Sequence, residues 1–332
     1  MGLSLRGIEI HIASMRPSAI PGVAIYPLTP LGRSKALYLS VIPRIRTLIR
    51  RLRPDIVHAH YATSYGLLAA LSGHPHVVIT AWGTDALIAP RESAILRILL
   101  RFSLRRAGAV TSMAEHMNAS LLALGVAPDR LHVLPFGVEV DRFAAASSRE
   151  RQRGSVVCTR RFDLIYDVQC VVRAFAAARS DGYLRTLTLI GDGPLRPELE
   201  RLVQSLDIED CVHFLGQLDH ERLPAILGTQ EIFISPAHSD GNNVSLNEAM
   251  AAGCFPLATD IPANSQWITH RVNGFLYRAG DVDALTALLR EVPVQKHLLD
   301  DARMINLERV KRDADWNTAL DRMCAIYDDV RA

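Results

Sequence analysis

The stretch EIFISPAHSDGNNVSLNEAMAAG, residues 231–253, reads as a strand, a polar turn and a helix in immediate succession. Glu231 to Ala237 carries the apolar and aromatic residues of a buried strand, and SDGN breaks it. A helix is expected from Ser245 to Ala252, with Gly253 as its stop. A strand that passes directly into a helix is the repeating unit of a parallel sheet, so the segment points to an α/β fold. It also points to a site. Unpaired backbone N–H groups at a helix start, at the C-terminal end of a parallel strand, attract a phosphate or diphosphate. Gly241 lets the backbone approach such a ligand. Asp240 and Glu248, with seven residues between them, flank it where carboxylates accept hydrogen bonds from sugar or ribose hydroxyls. The same residues have plainer uses: Ser245 and Glu248, three apart, fit a capping box, and Asp240, Asn242 and Asn243 suit a turn.

The strand-and-helix rhythm extends in both directions. Runs rich in Val, Ile and Leu begin at Ile8, Asp55, Val77, Ala107 and Leu131, and again at Ser155, Thr186, Cys211, Glu231 and Phe255. Helical spacing fills most of the gaps, so two doubly wound, parallel-sheet, Rossmann-like domains are expected. Gly137 to Gly154 is small, polar and charged and reads as the linker. This gives a first domain over 1–145, a second over 146–312, and a closing helix over 313–332. In that helix Trp316, Leu320, Met323 and Tyr327 are spaced as one buried stripe. Arg6 and Gly7 look like the end of a helix whose body is missing, so the first domain is expected to lack its first strand and helix.

A length of 332 residues suits two domains. With 37 basic and 35 acidic side chains the net charge is +2, which gives no reason to expect a nucleic-acid partner. The five cysteines show no metal-ligand spacing and read as core thiols in a reducing compartment. No carboxylate cluster suggests a metal site, and no run of apolar residues suggests a membrane span or signal peptide. A cytoplasmic protein is expected. Two arginine-rich helices, from Ile42 and from Ile95, are surface helices packed on the sheet or a peripheral contact with an anionic membrane face. Gly191-Asp192-Gly193-Pro194 lacks the third glycine of a dinucleotide fingerprint, which argues against a dehydrogenase.

Several motifs in order, DGNNVSLNEAMAAG foremost, with DIVHAHYATSYGLLAA, LPFGVEVDRF, CTRRF, LIGDGP, HFLGQL and VNGFLYRAGDVDAL, resemble the retaining GT-B-fold glycosyltransferases of the family-4 (glycosyl transferases group 1) type. The resemblance implies two such domains facing a cleft and transfer of a sugar from a nucleoside diphosphate sugar, with retained configuration and no cofactor or metal. Asp240 then contacts the donor sugar, with Arg161 neutralising the diphosphate. Asn242, Asn243 and Val244 lie along the donor, Glu248 holds the ribose hydroxyls, and Gly191 and Gly193 fall on the donor side. The family's first Glu is Asp240 here, its lysine is Tyr166, and a frequent histidine is Trp82.

In the first domain, His60 and Asp85 are the acceptor-side candidates. A hydrogen-bonded strand-end histidine is an equal reading of His60. By the resemblance, a glycan or a lipid-linked acceptor is expected, and the group as a whole suits cell-surface polysaccharide synthesis. Two other readings stand beside transfer: a nucleotide-sugar epimerase of the same fold, and a truncated, non-catalytic pseudoenzyme.

Overall fold

The computed structural model describes residues 2–17, 19–32, 35–147 and 150–332. They form two compact units, one of residues 1–135 with 317–332 and one of residues 136–316.

In the first unit, β1 (His11–Ser14) and β2 (Ala24–Pro27) make a two-stranded parallel sheet. Strands β3 (Val57–His60), β4 (Val77–Ala81), β5 (Ala109–Ser112) and β6 (Leu131–Val133) make a second parallel sheet in chain order. Its longer helices are α1 (Ile42–Leu52), α2 (Tyr65–Ser72) and α3 (Ala94–Arg106). At the chain start, Gly7 in left-handed backbone ends a 3-10 turn over Ser4–Arg6, a glycine stop of the expected kind on an element of a single turn.

The second unit has β7 (Gln152–Thr159), β8 (Thr186–Ile190), β9 (Val212–Gly216), β10 (Gln230–Ser235), β11 (Phe255–Thr259) and β12 (Phe275–Tyr277) in one sheet. Its order is β12-β11-β10-β7-β8-β9, every described pairing parallel. Helices α4 (Val140–Ala146), α5 (Val168–Arg179), α6 (Arg196–Ser205), α7 (Val244–Ala251), α8 (Val282–Glu291) and α9 (Lys296–Asp313) accompany it. Strand alternation sorts the core into two layers. Ile232 and Ile234 of β10 pack with α5, α6 and α8, while Phe233 between them packs with α4, α7 and α9. Covering both faces is what a parallel sheet requires. The order reverses between β7 and β10, and such a reversal opens a crevice at the C-terminal strand ends where ligands of α/β sheets bind.

Three sequence expectations change. The stretch taken as linker contains α4, which buries Val140, Phe143 and Ala146, a stripe too short to stand out as a period. The final helix, α10 (Trp316–Arg331), buries Ile326, and Ala319, Met323, Tyr327 and Val330 pack beside it on Val78, Ala109 and Leu134 of the first unit, while Trp316 is exposed. Of the expected stripe of Trp316, Leu320, Met323 and Tyr327, the last two pack in this cluster, and Ala319, Ile326 and Val330 complete it because apolar spacing fits more than one face. Helix α7 starts at Val244 with Asn243 as its cap, not at Ser245, because the Asn243 Oδ1 accepts the Leu246 amide at 3.0 Å.

Candidate functional site

The loops that leave β7, β8 and β10 define the crevice of the second unit. After β8 the chain turns through Gly191, where φ is +136° and a Cβ would lie 2.2 Å from the Arg160 carbonyl oxygen. At Gly193 a Cβ would lie 2.3 Å from the Phe162 carbonyl oxygen. Only glycine allows this backbone-to-backbone approach. The Gly191 amide donates to Gly216 and the Gly193 amide to the Asp192 side chain, so both donor-side candidates are explained by loop packing.

Against this support the two arginines after β7 diverge. Arg161 is 66% exposed, with its Nε 3.5 Å from Asp163 Oδ2. Arg160, which no sequence motif marks, turns inward. Its guanidinium donates to Ser235 Oγ through Nε at 3.2 Å and Nη2 at 2.9 Å. Its Nη1 stands 3.0 Å from Asp240 Oδ2, the two side chains being 9% and 15% exposed. The Tyr166 ring lies 5.2 Å from the guanidinium carbon. Burial, and then the Asp240 carboxylate, raises the Tyr166 hydroxyl above its ordinary value, so it stays protonated near neutrality.

A buried polar chain ties Arg160 to α7. Asn243 Nδ2 donates to Ser235 Oγ at 2.8 Å and to Asn264 Oδ1 at 2.7 Å. Asn264 in turn donates to the Thr259 carbonyl, and the Thr259 hydroxyl donates to the Ala237 carbonyl. This chain fixes the turn from β10 into α7, with Gly241 buried inside it. Asn242 Oδ1 accepts from Trp267 Nε1 at 3.0 Å, and among the described residues the buried Asn242 Nδ2 has no partner. Val244 is half-buried at the helix start. The start of α7, with its partial positive charge, thus opens beside Asp240 and Arg160.

Glu248 does not serve the expected capping box. Its Oε1 accepts from His220 Nε2 at 2.7 Å, and this hydrogen bond raises the half-exposed His220 above its ordinary pKa. His238 donates to Asp167 at 3.1 Å.

The first-unit candidates separate as well. Asp85 is completely buried. Its carboxylate accepts from the amides of Ala62 at 2.6 Å and of Trp82 and Gly83 at 2.9 Å each, so it clamps a turn. His60 lies at the end of β3, its ring 4.3 Å from that of His58 and edge-on to Trp82 at 6.1 Å. Burial lowers the pKa of His60, and that of His58 further. His58 is locked between Tyr327 Oη at 2.7 Å and Thr80 Oγ1 at 2.6 Å. Among the described residues no group of three or more His, Cys, Asp or Glu could hold a metal ion, and no helix is long and apolar enough to cross a membrane.

The chain matches two family models, Glycosyl transferase 4-like over residues 1–114 and Glycosyl transferases group 1 over residues 141–305. It is 26% identical over 327 residues to the N-acetyl-alpha-D-glucosaminyl L-malate synthase of Bacillus anthracis, covering 91% of this chain and 85% of that one. It is 25% identical over 310 residues to the 2-deoxystreptamine glucosyltransferase of Streptomyces kanamyceticus, covering 86% and 78%. Among solved structures, sucrose-phosphate synthase of Thermosynechococcus elongatus superposes with a TM-score of 0.82 at 18% identity, over 99% of this chain and 90% of that one. Anabaena HepE in complex with UDP gives a TM-score of 0.76 at 16% identity, over 91% and 85%. With its two parallel-sheet units and these matches, the chain is a GT-B-fold glycosyltransferase and belongs to the glycosyl transferases group 1 family.

Proposed function

We propose that the protein transfers a sugar from a nucleoside diphosphate sugar to an acceptor hydroxyl with retention of configuration. The observation that carries this reading is the convergence, at the switch point between β7 and β10, of a helix start, a buried arginine and a carboxylate. The helix start suits the diphosphate, and Asp240 suits the hydroxyls of the sugar beyond it. Arg161, exposed on the same loop, adds its charge to the diphosphate as the bond from the anomeric carbon to the phosphate oxygen breaks. The acceptor oxygen then bonds to that carbon, and its proton passes to the departing phosphate. The UDP bound in the HepE structure supports a nucleoside diphosphate as leaving group. Glu248 meets the ribose once His220 yields, and His60 is the remaining acceptor-side candidate in the first unit.

The test is incubation with UDP- and GDP-sugars and an acceptor panel, with the product's anomeric configuration read by NMR. Transfer with retention, undiminished by EDTA, is expected. An altered sugar still attached to its nucleotide would indicate an epimerase, and an inert protein with tight donor binding a non-catalytic one.

We also propose that α3 is the peripheral membrane contact. It exposes Ile95 and Ile98, at 70% and 65%, among exposed Arg97, Arg101, Arg105 and Arg106, with no acidic residue in the helix. Each arginine near an anionic surface contributes about 1 kcal/mol. Helix α1 is used differently, since its Arg46 donates to the Leu71 carbonyl and ties it to α2. Co-sedimentation with phosphatidylglycerol vesicles, lost in Ile95→Ser/Ile98→Ser and absent with phosphatidylcholine, is expected; no binding to either overturns the assignment.

A further inference from the structure

We propose that Arg160 is a positioning residue that fixes the Asp240 carboxylate for the sugar part of the donor, with the Tyr166 ring as the cover that holds the guanidinium in place. The inference rests on the donor reading above and adds a residue that the family motifs do not mark in this chain.

The geometry is specific to an arginine. The two bonds to Ser235 Oγ pin one edge of the guanidinium plane, and the Tyr166 ring lies over it, so Nη1 is delivered to Asp240 in one orientation. Ser235 is itself held by Asn243, the cap of α7, so the arginine, the carboxylate and the helix start are registered against one another. The contact at 3.0 Å neutralises charge, yet Asp240 Oδ2 is buried without an aligned hydrogen-bond donor among the described residues. With Oδ2 turned to the guanidinium, the carboxylate has its other oxygen, Oδ1, to offer an incoming hydroxyl. Aspartate reaches one methylene less far than glutamate, and a fixed orientation compensates for the shorter reach.

Because Arg160 acts through Asp240, its effect falls on the sugar and not on the diphosphate. The test measures affinities of the full-length protein for UDP-glucose, UDP-N-acetylglucosamine and GDP-mannose, each beside its own nucleoside diphosphate. Arg160→Met should weaken the preferred nucleotide sugar by about tenfold or more, the scale of one charged hydrogen bond, and leave the nucleoside diphosphate within about threefold. Arg160→Lys, which keeps the charge but not the fork, should recover part of the loss. In an Asp240→Asn background Arg160→Met should cost nothing further, and that neutral double variant also controls for misfolding caused by an unpaired buried charge. Equal losses for nucleotide sugar and nucleoside diphosphate, or a further loss in the Asp240→Asn background, overturn the proposal while the donor reading stands. If the wild-type protein binds none of the probes, the donor reading falls and takes this proposal with it.

Discussion

Two aspartates follow parallel strands in glycine-containing turns, AWGTD after β4 and HSDGN after β10, and the structure uses them in opposite ways. Asp85 has both oxygens filled by three backbone amides and is completely buried. Asp240 turns its Oδ2 to one arginine at 3.0 Å, and its side chain is 15% exposed. A carboxylate saturated by backbone amides, here those of its own turn and of Ala62 after β3, has nothing left to offer a ligand, whereas one held from a single side does. On the proposed donor reading, the difference separates a residue that builds the fold from one offered to the sugar.

The comparison is easiest to break at Asp240. Asp240→Asn can present its amide oxygen to Arg160, so the protein should fold with little change in melting temperature. Its kcat/KM should fall about a hundredfold, near the upper value of a charged hydrogen bond to the donor. Unchanged kinetics would remove Asp240 from the site. Asp85→Asn should do the reverse. Both its oxygens are used, so the new NH2 group must face a backbone N–H, and urea unfolding should show a loss of about 2–3 kcal/mol. Activity per folded molecule should hold. An Asp85→Asn protein that is fully stable but inactive would return this residue to the acceptor side.

A smaller effect sharpens the comparison at the third carboxylate, Glu248. His220 has a raised pKa in the folded protein because it donates to Glu248, so its stabilising contribution is complete below the unfolded histidine value near 6.5 and is lost as pH rises through the folded value. Melting curves of wild type and His220→Asn should differ most below the unfolded histidine value and converge as pH rises through the raised folded value. A difference that grows with pH would contradict the pairing.

Much of this is legible in the sequence because most of the strands, short ones such as β3 and β6 included, lie in apolar runs bounded by turn residues. Strands β2 and β12 stand out less: Ala24–Pro27 lies in a proline-rich stretch and Phe275–Tyr277 has only three residues between Gly274 and Arg278. The segment from β10 to α7 was read correctly as strand, turn and helix, but the cap was misplaced because Asn243 and Ser245 are both good caps and only the buried chain through Ser235 and Asn264 selects the first. The choice between Arg160 and Arg161 was beyond spacing altogether. Both follow the end of β7, and the path of that loop is set by its contacts with Gly191 and Gly193, far away in sequence. The departures at Asp240 and Tyr166 were visible one at a time in the sequence. In space they meet on Arg160, with Asp240 paired to it and Tyr166 over it.

The most direct measurement is a crystal structure of the full chain soaked with the nucleotide sugar it binds best. The account predicts the diphosphate at the start of α7, near Val244, and a sugar hydroxyl within hydrogen-bond distance of Asp240, with Arg160 still in contact with that carboxylate. A ligand bound away from the β7–β10 crevice, or a sugar turned away from Asp240, would contradict it.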